Sequence, residues 1–189
     1  MKKEIITIAG TLGSGKSSTA DIVAEKLGYR RFSSGDFMRK IAVEMNVSLN
    51  ELSALAQTDK SIDIKIDDEV KNAGKQNKIV IDSRLAFHWL PESFKVYLDL
   101  PPEIAKERVF NNLQANALRK HSEDGATPEE IYQKIISRRK SEEQRYRELY
   151  DINHADKSKF DLVIDTNKNN LTQVVDLILA EYKKWLVKN

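Results

Sequence analysis

Ile5-Ile6-Thr7-Ile8-Ala9-Gly10-Thr11-Leu12-Gly13-Ser14-Gly15-Lys16-Ser17 decides the fold. Residues 5–9 are short, mostly β-branched and closed by a glycine, which marks a buried strand. Just after the glycine-rich turn, Ala20, Val23, Ala24 and Leu27 share one helical face, and Gly28 supplies the stop. The turn itself satisfies G-x-x-x-x-G-K-[ST] in full from Gly10 to Ser17. Glycines let the main chain wrap closely, so that successive N–H groups and the helix N-terminus converge on phosphate oxygens. Lys16 can then reach the outer phosphates, and the Ser17 hydroxyl can ligate Mg²⁺. Gly10, Thr11, Leu12, Gly13, Ser14, Gly15, Lys16, Ser17 and Ser18 are therefore the expected triphosphate-binding residues. The alternative is a plain glycine-rich turn with a solvated lysine, but chance would not also set the motif between a strand and a helix.

Outward from this turn, strand-like and helix-like runs alternate. Strands are predicted at 29–33, 78–82, 94–100 and 160–165, making five with the first. Helices are predicted at 36–45, from the Ser48/Glu51 capping-box pair through Ala56, at 62–73, from Pro101-Pro102 to about 118, at 128–150 and at 171–187. Residues 121–127 read as the clearest loop. Strands separated by helices imply βαβ units, hence an α/β fold: a three-layer α/β/α arrangement around a parallel five-stranded sheet.

Composition narrows the classes. The 189 residues carry 31 Lys plus Arg against 29 Asp plus Glu, with 40% hydrophobic content, which fits one ordinary globular domain. Near-balanced, mixed charge argues against a nucleic-acid partner. The absence of cysteine excludes disulfides and thiol catalysis and fits a cytoplasmic setting. No run approaches the ~20 apolar residues of a membrane span, so no membrane partner is expected. His88, His121 and His154 lack metal-ligand spacing and read as surface or satisfied histidines.

A GTP switch would need N-K-x-D and D-x-x-G; Asn167-Lys168-Asn169-Asn170 lacks the aspartate, and no D-x-x-G occurs. A small kinase acting on a small acceptor remains. In Ser33-Ser34-Gly35-Asp36-Phe37-Met38-Arg39, Gly35 permits a tight turn, Asp36 can cap the next helix and Arg39 lies one turn into it. Strand 78–82 ends in Asp82-Ser83-Arg84, which places a carboxylate at the crevice end of a parallel strand. Asp82 is a candidate to hold Mg²⁺ with Ser17, and Arg84 to grip an acceptor phosphate with Arg39.

On the helix after Pro128, the stripe Ile131, Ile135 continues as Arg138, Glu142, Arg145 and Leu149. A core stripe that turns charged reads as a face lining a polar cleft, with Arg138 and Arg145 stabilising transferred charge and Glu142 holding both. A solvated face with i,i+4 pairs is the alternative, each pair worth only ~0.2–0.5 kcal/mol. Asp63 and Asp67 lie one turn apart and could contact an acceptor base or form a solvated acidic face. Arg108 could likewise face the nucleotide or simply the surface.

Several of these segments carry a family resemblance. The Ser-x-Gly-Asp turn with Arg39 resembles the acceptor-side motif of nucleoside monophosphate kinases. Asp82-Ser83-Arg84-Leu85, Ser61-Ile62-Asp63-Ile64-Lys65-Ile66-Asp67, Arg138-Arg139-Lys140-Ser141-Glu142-Glu143-Gln144-Arg145-Tyr146 and Phe160-Asp161-Leu162-Val163-Ile164-Asp165-Thr166 are similar to segments of short, archaeal-type cytidylate kinases. The resemblance implies a P-loop, adenylate-kinase-like fold in a single domain of 189 residues. Its core would be 1–33, 78–112 and 155–189, with acceptor-binding helices at about 34–77 and a lid at about 113–150. It implies transfer from ATP with Mg²⁺ to CMP or dCMP by a monomer, with Ser34, Gly35, Asp36, Arg39, Asp63, Asp67 and Arg84 on the acceptor side. Lys16, Arg39, Arg84, Arg138 and Arg145 would be its catalytic cations. An adenylate-kinase-like or other small-molecule kinase is the near rival, and a regulatory nucleotide-binding module without transfer activity is the rival from another class.

Overall fold

The computed structural model describes residues 3–115 and 127–188. Expectations for the helix end at 116–118, for Arg119, Lys120 and His121, and for the loop through 126 lie outside the described residues. Five strands form one parallel sheet: β1 (Ile5–Gly10), β2 (Arg30–Ser33), β3 (Ile79–Asp82), β4 (Phe94–Asp99) and β5 (Leu162–Asp165), in the order β2-β3-β1-β4-β5. The register sets Ile8 opposite Asp82 and Ser33 opposite Asp82, so three adjacent strands end at one edge.

Strand alternation sends β1 side chains to both faces. Ile6 and Ile8 pack with Val23, Val96, Leu98 and Ile178, under α1 (Lys16–Leu27) and α8 (Leu171–Lys188). Ile5 packs on the other face with Ile79, Ile81 and Val70, under α4 (Lys60–Ala73) and the short α5 (Ala86–Trp89). With both faces covered, β1 and β3 are buried along their whole length and mostly apolar rather than alternating.

Two satellite cores carry the helical parts. α2 (Ser34–Glu44), α3 (Leu49–Thr58) and α4 enclose Ala42, Leu52, Ala56 and Ile62. α6 (Pro102–Ala115) and α7 (Pro128–Tyr150) enclose Leu100, Ala105, Ile131 and Ile135. α3 begins with the Ser48–Glu51 capping box predicted for it. α7 begins with a second such box, Thr127–Glu130, ahead of Pro128 at the first turn. No helix among the described residues is long and apolar enough to cross a membrane.

The start of α2 differs from the sequence expectation. The N-cap is Ser33, whose Oγ accepts from the Asp36 N–H at 3.3 Å, and the helix opens at Ser34. Asp36 sits inside the first turn instead of capping it. Gly35 is helical as well, not the pivot of a turn. A Cβ on Gly35 would meet the Arg39 guanidinium only at 3.8–3.9 Å, an ordinary van der Waals distance.

Candidate active site

The turn between β1 and α1 is shaped by two constraints. Gly10 has φ +143°, and a Cβ there would overlap the Leu98 carbonyl. Gly15 caps α1 in the left-handed region, with φ 86°. Thr11 anchors the loop to the neighbouring strand, its N–H donating to Leu98 O at 3.2 Å and its Oγ1 to Leu100 O at 3.1 Å. Ser14 Oγ and Lys16 Nζ both donate to Thr11 O, at 2.8 and 2.7 Å. The loop is thus held in an open ring with Lys16 folded across it.

Beside the ring, Ser17 Oγ donates to Asp82 Oδ2 at 2.8 Å, although 65 residues separate them. A hydroxyl and a carboxylate at one strand edge form an oxygen donor pair that suits a hard divalent cation. Asp82 also has Arg31 Nη2 at 3.8 Å, and Arg31 reaches Asp36 at 2.6 Å and Asp21 at 2.9 Å. Sequence reading assigned Arg31 nothing. Only the β2–β3 register, which brings it near Asp82, reveals the link.

Across from the ring stands a buried carboxylate, Glu142, 4% exposed. Arg84 Nε lies 2.6 Å from its Oε2, and Arg138 Nε donates to its Oε1 at 3.0 Å. Burial acts to raise the Glu142 carboxyl, and the Arg84 and Arg138 guanidiniums overcome it, holding the group below the ordinary glutamate value. Lys16 is lowered to about 8, first by burial and then by Arg84, against the opposing pull of Asp82. Gly10, Thr11, Arg84, Arg138 and Glu142 line one cleft.

Two expectations need correction. Arg145 is not held by Glu142 and does not line the cleft. It is buried, its Nε donates to Asp63 Oδ2 at 2.8 Å, and its Nη1 donates to Ser141 Oγ at 2.9 Å and Ser53 O at 3.3 Å. The reason is helical phase: three residues beyond Glu142, the side chain has rotated toward α3 and α4. Nor do Arg39 and Arg84 meet. Arg39 is half exposed and pairs with Asp36 on its own helix, while Arg84 is tied to Glu142.

The acidic pair on α4 is not a solvated face, since Asp63 and Asp67 are 4% and 3% exposed. Burial pushes the Asp63 carboxyl up, and Arg145 partly offsets it. Burial also raises Asp67, to about 6, with the Tyr150 hydroxyl and Trp89 indole opposing that shift. Its Oδ2 is enclosed without a partner meeting hydrogen-bond geometry. Arg108, on α6, donates from Nη2 to Thr166 O at 2.6 Å, which ties it to the turn after β5. Among the described residues, no group of three or more His, Cys, Asp or Glu forms a metal cluster.

The model of the cytidylate kinase-like family matches residues 5–168, which spans β1 to the turn after β5. The chain belongs to the cytidylate kinase-like family. A cytidylate kinase of Methanocella arvoryzae is 34% identical over 184 residues, covering 95% of this chain and 99% of the relative. Among solved structures, an uncharacterized protein from Eubacterium ventriosum superposes with a TM-score of 0.69 at 16% identity, covering 96% of this chain and 99% of that one. Shikimate kinase from Bacteroides thetaiotaomicron does so with 0.61 at 12%, covering 95% and 98%. Those two likenesses speak to the fold alone. Within the family match fall all the cleft residues described above, from Gly10 to Glu142.

Proposed function

We propose that the protein transfers the terminal phosphoryl group of ATP to a nucleoside monophosphate, CMP or dCMP, yielding ADP and the diphosphate. The observation that supports this best is the single cleft in which the glycine ring faces Arg84 and Arg138, both oriented by buried Glu142. A nucleotide switch or regulatory module needs the ring, but not a second pair of cations aimed at it.

The acceptor's phosphate titrates near ~6, so it is already largely ionised at neutral pH and needs no general base. The work is positioning and charge neutralisation. In this reading the amides of Gly10 to Ser18 wrap the triphosphate, and Lys16 leaves Thr11 O for the outer phosphates. Arg84 and Arg138 meet the acceptor's phosphate and the transferred group. Arg39, half exposed on α2, recruits the acceptor, with Ser34, Gly35 and Asp36 shaping that side. Ser17 and Asp82 would hold Mg²⁺, which screens phosphate charge when bound. Arg145, Asp63 and Asp67 act as the frame that fixes α4 against α7. We assign 1–33, 78–112 and 155–189 to the core, about 34–77 to acceptor-binding helices and about 113–150 to a lid that excludes water. We further propose that it acts as a cytoplasmic monomer.

A coupled ADP-release assay across CMP, dCMP, UMP, AMP and GMP tests this. Highest kcat/KM is expected with CMP or dCMP; preference for AMP would support an adenylate-kinase-like enzyme, and no acceptor-dependent turnover a binding module. Arg39→Ala is expected to raise the acceptor KM about tenfold, the loss of one charge-assisted hydrogen bond, while the ATP KM changes less than about twofold. Equal rises in both constants would remove Arg39 from the acceptor side.

A further inference from the structure

Arg31 is a cation beside the site to which the reaction as described gives no task. It lies on β2, its side chain is 23% exposed, and it faces three carboxylates from three other elements. Nη1 donates to Asp36 Oδ2, on α2, at 2.6 Å. Nη2 lies 3.8 Å from Asp82 Oδ2, at the end of β3. Nε lies 2.9 Å from Asp21 Oδ1, on α1, without the alignment of a hydrogen bond. Among the described residues Asp36 is thus its aligned partner, while Asp21 and Asp82 hold the guanidinium from two other sides.

Asp36 is shared. Its Oδ2 accepts from Arg31 Nη1 and its Oδ1 from Arg39 Nη2, so each oxygen serves one guanidinium. A carboxylate left to a single arginine can take it through both oxygens, in a fork stronger and more directional than one bond. The i,i+3 spacing of Asp36 and Arg39 puts that fork within reach. Arg31 forestalls it by occupying the second oxygen, and Arg39 is committed to Asp36 through Nη2 alone. Stability does not explain the Arg31–Asp36 contact, since Asp36 is half exposed and ion pairs open to water contribute little. Charge points the same way. Without Arg31, an unneutralised carboxylate oxygen would stand beside the guanidinium that has to attract a phosphate.

We propose that Arg31 is a positioning residue for the acceptor: by occupying Asp36 Oδ2 it keeps the Arg39 guanidinium from closing on Asp36 and leaves it available to grip the acceptor's phosphate. The assignment rests on the kinase reading above, with Arg39 on the acceptor side. Asp21 and Asp82 hold Arg31 in place from α1 and β3, so the availability of Arg39 depends on the strand edge that also carries Asp82.

The test measures steady-state kinetics with ATP and CMP, together with thermal unfolding, in Arg31→Met, Arg31→Lys, Asp36→Asn and the double variant R31M/D36N. R31M is expected to raise the acceptor KM about fivefold, with kcat and the ATP KM changed less than about twofold and Tm nearly unchanged. R31K keeps a cation beside Asp36 and is expected to recover most of that loss. In the D36N background Arg39 has no carboxylate to close on, so adding R31M is expected to shift the acceptor KM by less than about twofold. A wild-type acceptor KM in R31M, or the same rise whether or not Asp36 is present, would overturn the assignment. Parallel rises in both KM values with a fall in Tm would do so as well and leave Arg31 a structural residue. A wild-type protein inactive with every monophosphate would instead overturn the kinase reading itself, so the two failures are distinguishable.

Discussion

Lys16→Met is expected to lower kcat about 10³-fold while leaving the protein as stable as, or more stable than, the wild type at pH 7. The rate loss follows from position. Lys16 is the cation of the glycine ring, its Nζ 2.7 Å from Thr11 O, and it must stabilise charge that grows on the outer phosphates during transfer. Removing one preorganised donor from such a site typically costs about 10²–10³-fold, and a full charge sits at the upper end. The stability gain follows from its surroundings. The folded protein holds Lys16 at about 8, below its ordinary 10.5, because burial and Arg84 disfavour the charged form. A group whose folded pKa is depressed in this way binds its proton more tightly when unfolded. Between pH 8 and 10.5 the wild type therefore gains stability as pH rises, and below pH 8 it carries the whole penalty. The methionine variant lacks this slope. Its stability advantage is expected to be largest at pH 7 and to shrink toward pH 10, as thermal unfolding at the two values will show. A variant that keeps a tenth of wild-type kcat, or an advantage that grows with pH, would refute the account.

Arg145→Met is expected to be the most destabilising single change, by about 3–5 kcal/mol. In a chain of this size each kcal/mol moves Tm by roughly 2–4 °C, so a fall of about 10 °C is anticipated. The guanidinium is 6% exposed and contacts Asp63, Ser53 and Ser141, on α4, α3 and α7. Its removal leaves Asp63 buried beside a chain that can no longer donate. Burial would push that carboxyl up further, and at low pH it would protonate and soften the loss. The double variant D63L/R145M is expected to recover most of the stability, since replacing both members of a buried pair by apolar groups is often neutral. Urea unfolding of the single and double variants measures both effects. If R145M shifts Tm by less than 2 °C, the pair does not hold the acceptor-side helices in place.

Part of the site was legible because it is local. Gly10, Gly15, Lys16 and Ser17 lie within eight residues, and the demands of phosphate on the main chain fix their spacing. Asp82 was found at a strand end for a similarly simple reason. Arg145 was misread because a helical stripe states which residues share a face, not which neighbour that face meets after it turns. Glu142 holds Arg138, as the i,i+4 pattern expects, but its second partner is Arg84 and not Arg145; Arg84 is 58 residues away and cannot be read from that pattern. The α2 cap lies three residues before the expected Asp36, because serine and aspartate are both good caps and Ser33, at the end of β2, takes the role.

The order of strands and helices, the glycine ring and the family were determined by the chain of residues itself, since each rests on periodicity or spacing that survives in an extended polymer. Tertiary structure alone decided which charges meet: Ser17 with Asp82, Arg84 with Glu142, Arg145 with Asp63. Pairing across 58 to 82 residues depends on sheet register and helix phase, and a buried charge takes whichever partner those set within reach.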